Sequence, residues 1–235
     1  MPRPNQVAMN AIVSQSGEIL IYDDIVSDDI FGGVTAKDFR SLLKDLGNVK
    51  DIDVRINSDG GSVFEAVSIY RALADHEAGV TGHVDGIAAS SASLILMAAD
   101  RIKVAEAAFV MVHNPHMIAA GDARHFRERA DLLDKVQEQM VNVYSSRTGL
   151  EPERVQQLMD DETWMTADEA IQMQFADEIT ENKAIAAKCD LTRFDKVPEA
   201  VVALRDQPER KPDAVDAFHR MVSARRRKLH ILTHS

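Results

Sequence analysis

The chain has 235 residues, 45% of them hydrophobic, which is enough to bury a substantial core in one domain with an appendage. A net charge of −11 and a pI near 5.2 exclude the broad basic surface that nucleic acid or an anionic membrane requires. The single cysteine, Cys189, leaves no disulfide framework and no cysteine-based zinc site, and suits a reducing compartment. The opening "MPRPNQVAMN" has no apolar leader core, and no apolar run approaches the ~18 residues of a membrane span, so a cytoplasmic protein is expected.

The first two-thirds alternate. "GEILIYDDI" reads as a strand and "TAKDFRSLLKDLGN" as a helix, started by Thr35 and Asp38, striped by Phe39, Leu42, Leu43 and Leu46, and ended by Gly47. "DIDVRIN" is a strand, "SDGGSV" a tight turn, and "FEAVSIYRALADH" a helix with Val67, Tyr70 and Ala74 on one side. Then come a strand in "GVTGHVDG", a helix in "SSASLILMAAD", and strands in "RIKVAE" and "AFVMVH". Strand–helix–strand repetition at these lengths predicts an α/β fold with a mostly parallel sheet. Residues 123–147 predict one long helix ending near Gly149, with Phe126, Leu133, Val136, Met140 and Tyr144 at helical spacing. A helix of that length suits a lever or an interface. "EPERVQQLMD" is a short helix, and a Thr166–Glu169 capping box starts another. The expected organisation is an N-terminal segment 1–16, a domain 17–185, and a peripheral tail 186–235, helical near "PDAVDAFHRMVSARRR".

Four stretches could carry chemistry. In "NSDGGS", Gly60 and Gly61 follow a strand and can turn N–H groups toward a ligand, or simply make a turn. In "GIAASSAS", Ser90 or Ser91 could cap a helix; if Ser90 attacks a carbonyl, the Ser91 N–H is placed to bind the oxyanion. In "VMVHNPHM", His113 follows a buried strand, where it could be a base or a structural residue. His113 and His116 also have His-x-x-His spacing, but the third ligand and general base of a hydrolytic zinc site are missing, so no metal or cofactor is expected. In "DDETWMTADEA", Asp160, Asp161 and Glu162 are solvated acids or, beside Trp164, a carboxylate that orients an imidazole.

The order of glycine turn, serine, histidine and acid resembles that of the ClpP-type serine peptidases. "INSDGGSV" is similar to that family's Ile-Asn-Ser-Pro-Gly-Gly-Ser-Val, and "GIAASSASLILMAAD" to its Gly-x-Ala-Ala-Ser-Met-Gly-Ser-x-Leu-Leu. "VMVHNP" is similar to Val-Met-Ile-His-Gln-Pro, and "WMTADEAIQMQFADEI" to Phe-Met-Thr-Ala-Glu-Glu-Ala-x-x-x-Gly-x-x-Asp, so the match spans about residues 18–180. "YDDI", "INSDGGSVFEAVSIY", "VHNPHMIAAGDA" and "DETWMTADEA" look like the phage-encoded, ClpP-like head maturation proteases. The resemblance implies the ClpP/crotonase-like fold and a homo-oligomeric ring, heptameric or stacked, that uses the long helix as a contact. It implies Ser90 as nucleophile, His113 as base, the N–H groups of Gly61 and Ser91 as oxyanion donors, and Glu162 as acid with Asp161 as the alternative.

The chain departs from the pattern with Asp59 for Pro, Ser91 for Met, Ala92 for Gly, and "DDE" where the family has Asp. Substrates implied are phage scaffold or capsid protein or, with an ATP-dependent unfoldase, a general protein pool. A crotonase-fold acyl-CoA enzyme and an inactive assembly protein are the competing classes.

Overall fold

A computed structural model describes residues 17–28, 32–181 and 191–205. The N-terminal segment 1–16, Cys189 and the expected helical run 212–227 lie outside them. The strands are β1 (Glu18–Ile21), β2 (Asp51–Ser58), β3 (Gly79–Ala89), β4 (Arg101–Ala105), β5 (Phe109–Val112), β6 (Thr163–Thr166) and β7 (Glu178–Thr180). They form one sheet in the order β1-β2-β3-β4-β7, with β5 branching from β3 and carrying β6. Every pairing is parallel except β5 with β6. This is the α/β, mostly parallel architecture expected of the ClpP/crotonase-like fold.

The branch point positions the site. Strand β3 runs beyond the Gly86 end read from sequence: Thr81–Val84 pair with β4, and Ile87–Ala89 then pair with β5. One strand thus feeds two, and its end at Ala89 lies beside Met111 of β5 and, through Ala88, beside Ser58 of β2. The Ser58, Ala89 and Val112 strand ends therefore converge, where an open parallel sheet places its ligands.

The helices are α1 (Ala36–Leu46), α2 (Val63–Ala74), α3 (Ser91–Leu96), α4 (Ala123–Thr148), α5 (Pro152–Asp160), α6 (Ala167–Gln172) and α7 (Glu199–Arg205). Their ends follow local chemistry. The Thr35 and Ser62 hydroxyls accept the Asp38 and Glu65 N–H groups, and Thr166 with Glu169 forms the expected capping box. Gly149 ends α4 in the left-handed conformation, φ 70°.

Two apolar faces differ from the sequence reading. Helix α2 buries Ala66, Ile69 and Leu73, whereas Val67 is exposed. The helix is apolar on several sides, and the face against the sheet takes the residues that fit there. In α4 only the C-terminal end is buried, at Met140, Val141, Tyr144 and Thr148, while Phe126 is exposed. The N-terminal half of α4 projects from the core. Among the described residues no helix is long and apolar enough to cross a membrane.

Candidate active site

Ser90 sits between the last residue of β3 and the first of α3, with φ 54° and ψ −127°. A non-glycine residue in that region costs on the order of 1–3 kcal/mol and persists only where its surroundings hold it. Hydrogen bonds to its backbone do so. The Ser90 N–H donates to Met111 O at 3.0 Å, and the Ser90 carbonyl accepts the Ser93 N–H at 3.0 Å and the Ser93 hydroxyl at 2.7 Å. The turn lifts the Ser90 hydroxyl out of the sheet. Gly-x-Ser-x-Gly is absent, yet the strand–serine–helix bend of a nucleophile elbow is present. Alanines at 88, 89 and 92, all fully buried, let it pack this tightly.

His113 follows β5 and is 8% exposed. Its Nε2 lies 2.7 Å from Ser90 Oγ. Burial above all, with the neighbouring His116 and Arg193, lowers its pKa to about 4, against the pull of Glu162. The imidazole is therefore neutral at pH 7, the form that can accept a hydroxyl proton. The His116 ring meets it edge-on at 5.4 Å. Among the described residues no group of three or more His, Cys, Asp or Glu gathers in metal-ligand fashion.

The glycine turn lies against Ser90. A Cβ on Gly60 would stand 2.7 Å from Ala89 O and 3.0 Å from Ser91 N, and one on Gly61, at φ 142°, would stand 2.1 Å from Ile25 O. Only glycine permits this approach. Ile25 bridges the turn, donating to Gly60 O and accepting from Ser62 N–H, and these bonds leave the Gly61 N–H out. Gly61 and Ser91 both line the cleft that contains Ser90 and His113. The Ser91 hydroxyl is buried and has no hydrogen-bond partner among the described residues.

The acids separate. Asp160 accepts from Asn114 Nδ2 at 2.8 Å, and the exposed Asp161 lies 3.9 Å from Lys196 Nζ. Glu162, at φ 49°, is partly buried. Its carboxylate accepts from Trp164 Nε1 (3.2 Å), Asp195 N–H (3.1 Å) and Lys196 N–H (2.8 Å). Burial works to raise its pKa, but the Lys196, Asp195 and Trp164 donors and the His113 ring outweigh burial and hold it below the ordinary value. No hydrogen bond joins Glu162 to His113, yet its charge acts on the imidazole. Of the three acids, Glu162 alone is coupled to the base.

Residues 191–205 supply what the sequence reading missed. Phe194, 8% exposed, meets His113 edge-on at 5.5 Å and Trp164 at 5.4 Å. Arg193 pairs with Asp24 at 3.1 Å and with the buried Asp59 of the glycine turn. The Asp59 carboxyl is pushed upward by burial and by Asp24, against the pull of Arg193. The only available signal was an aromatic in a weakly periodic stretch, and such a stretch does not say where it packs.

The Clp protease family model matches residues 8–183. The chain is 31% identical over 150 residues to the ATP-dependent Clp protease proteolytic subunit of Bacteroides fragilis, covering 62% of this chain and 72% of that one. It is 33% identical over 134 residues to the subunit of the same name from Porphyromonas gingivalis (56% and 60%). It is 31% identical over 148 residues to subunit 1 from Leifsonia xyli subsp. xyli (62% and 75%). With the parallel sheet and the matched span of residues 8–183, these likenesses make the chain a member of the Clp protease family, a family of peptidases.

Proposed function

We propose that the chain is a serine endopeptidase whose triad is Ser90, His113 and Glu162. The observation that carries the reading is the 2.7 Å contact between the Ser90 hydroxyl and the neutral, buried His113 imidazole. Ser90 Oγ bonds to the peptide carbonyl carbon as its proton passes to His113 Nε2, and the carbonyl electron pair moves onto oxygen. The N–H groups of Gly61 and Ser91 receive that oxyanion. When the C–N bond breaks, His113 returns the proton to the leaving amine; water then repeats the sequence on the acyl-enzyme. Glu162 stabilises the transient imidazolium. No cofactor enters these steps.

The test is intact mass after treatment with a fluorophosphonate. One adduct on the wild type and none on Ser90→Ala supports the assignment. An adduct on both, or on neither, sinks it. An acyl-CoA enzyme of related fold would not need Ser90 and His113 together, and an assembly protein would need neither.

Two substrate settings follow. Words such as "DETWMTADEA" favour a phage head maturation protease that acts on scaffold or capsid protein. The ATP-dependent names of the relatives favour a general peptidase fed by an unfoldase. Hydrolysis of a phage capsid precursor without ATP separates them. The single cysteine suits a cytoplasmic setting. A homo-oligomeric ring is supported by the exposed apolar groove between α2 and α4, about 370 Å³, lined by Phe64, Val67, Val136 and Val143. Light scattering that gives a stable 26.0 kDa monomer at micromolar concentration overturns the ring.

A further inference from the structure

We propose that residues 193–196 are a built part of the active site, with Phe194 positioning the His113 imidazole and the backbone N–H groups of Asp195 and Lys196 positioning the Glu162 carboxylate. This rests on the serine peptidase reading above. The segment lies beyond residues 8–183, the span that the family model matches.

The segment is anchored by its own packing. Phe194 and Val201 join Ile87, Ala89, Phe109 and Met111 in a second apolar cluster, separate from the main core. Those four residues belong to the β3–β5 branch, whose remaining face would otherwise be open. A short helical turn, Leu191–Arg193, leads into the contact and α7 follows it. Burying apolar surface at both Phe194 and Val201 fixes the residues between them.

From that anchor, consecutive residues reach separate parts of the site. Arg193 pairs with Asp59 beside the glycine turn. Phe194 closes one side of the His113 ring and rests on Trp164. The Asp195 and Lys196 N–H groups take both Glu162 oxygens, and Lys196 Nζ donates to Asp161 O at 2.5 Å. Without them, Glu162 keeps one donor, Trp164 Nε1. A carboxylate on a residue at φ 49° with one donor has no fixed direction. With three donors it is held where its charge is felt by His113.

The segment is a wall and not a plug. A cleft of about 380 Å³ stays open beside it, lined by Ser90, His113, Gly61 and Ser91, with Arg193 and Phe194 on one side. Ser90 and His113 remain in contact beneath that wall.

The groups that face His113 are Ser90 from the α3 turn, His116 from its own loop, Glu162 from the loop before β6, and Arg193 with Phe194 from this segment. Removing the Phe194 ring reduces the burial that lowers the imidazole pKa, so the pKa rises toward its ordinary value.

The experiment measures the rate of fluorophosphonate labelling of the full chain against pH for wild type, Phe194→Ala, Phe194→Leu and Ser90→Ala. Trp164, the only tryptophan, reports docking of the segment by its fluorescence. Phe194→Ala should label about 10- to 100-fold more slowly at pH 7. Its acid limb should move to higher pH and its tryptophan emission to the red. If circular dichroism shows that Phe194→Ala does not fold, Phe194→Leu, which keeps apolar bulk, carries the same comparison with a smaller effect. Wild-type rates and an unmoved pH limb in the folded variant overturn the proposal, leaving a structural patch. Faster labelling overturns it too, making the segment a restraint. A wild type that labels no more than Ser90→Ala fails the peptidase reading itself, which is a separate result.

Discussion

The Ser93 hydroxyl and the Tyr144 hydroxyl share a 2.9 Å hydrogen bond that ties α3 to the buried end of α4. Ser93 commits its own proton to the Ser90 carbonyl, so Tyr144 is the donor. Burial holds the Tyr144 phenol far above its ordinary pKa, so it stays protonated at any working pH. The chain Tyr144 to Ser93 to Ser90 thus fastens the strained turn that presents the nucleophile. Tyr144→Phe should cost about 0.5–1.5 kcal/mol, the net worth of one such bond, in a denaturant titration. It should also slow hydrolysis without changing KM. A variant as stable and as fast as wild type would show that the turn holds without this tie.

Ser90 and Ser91 are neighbours with opposite expectations. Ser90→Ala should abolish hydrolysis and keep the fold, since among the described residues the hydrogen bond of Ser90 Oγ is to His113 and not to a structural partner. Ser91→Ala should keep activity and gain stability, because its buried hydroxyl has no partner among the described residues and such a group costs roughly 1–3 kcal/mol. Thermal melts and initial rates on both variants decide this. An inactive Ser91→Ala beside an active Ser90→Ala would exchange the two assignments.

An imidazole of ordinary pKa, roughly 6.5, would switch activity on between about pH 6 and pH 7. Burial, with His116 and Arg193, lowers His113 to about 4, so the acid limb should fall well below pH 6. The same shift has a consequence for stability. Between about pH 4 and about pH 6.5 the unfolded chain binds a proton at His113 that the folded chain does not, so this residue's contribution rises with pH and is complete above that window. Asp59, whose carboxyl is raised, contributes with the opposite sign over acidic pH, so a comparison isolates His113. The difference in melting temperature between wild type and His113→Gln should grow from pH 4.5 to pH 7.5. A constant difference would mean that His113 titrates normally.

Ser90, His113 and the Gly60–Gly61 turn were legible in sequence because each sits at a strand end and its neighbours are small or apolar for stated reasons. The parallel sheet followed from element alternation. The branching of β3 was not legible: Ile87–Ala89 are as apolar as any buried strand, and nothing in them says that the partner changes from β4 to β5. Phe194 was not legible either, since its contacts are with His113 and Trp164, distant in the chain, and periodicity reports only local order. Val67 misled for a related reason. On a helix apolar on several sides, spacing alone does not choose the buried face.

The acid is the assignment on which sequence left two candidates, and geometry now gives them unequal expectations. Asp161 is exposed and 3.9 Å from Lys196 Nζ, an ion pair of the kind that contributes little in solvent. Glu162 is partly buried, takes three N–H donors, and is the carboxylate whose charge opposes the lowering of the His113 pKa. Glu162→Gln keeps the shape, removes the charge, and sets an NH2 group against donors. It should lower kcat by two or more orders of magnitude and leave KM near wild type, because an imidazolium formed during attack loses its counter-charge. Asp161→Asn should remain close to wild type. Glu162→Asp should recover part of the rate: it restores the charge, but the carboxylate is one methylene short of the Asp195 and Lys196 N–H groups. Steady-state kinetics on the three variants give the ranking. The reverse order moves the triad to Asp161, and two mild single variants with a dead double variant would mean that the acids replace each other.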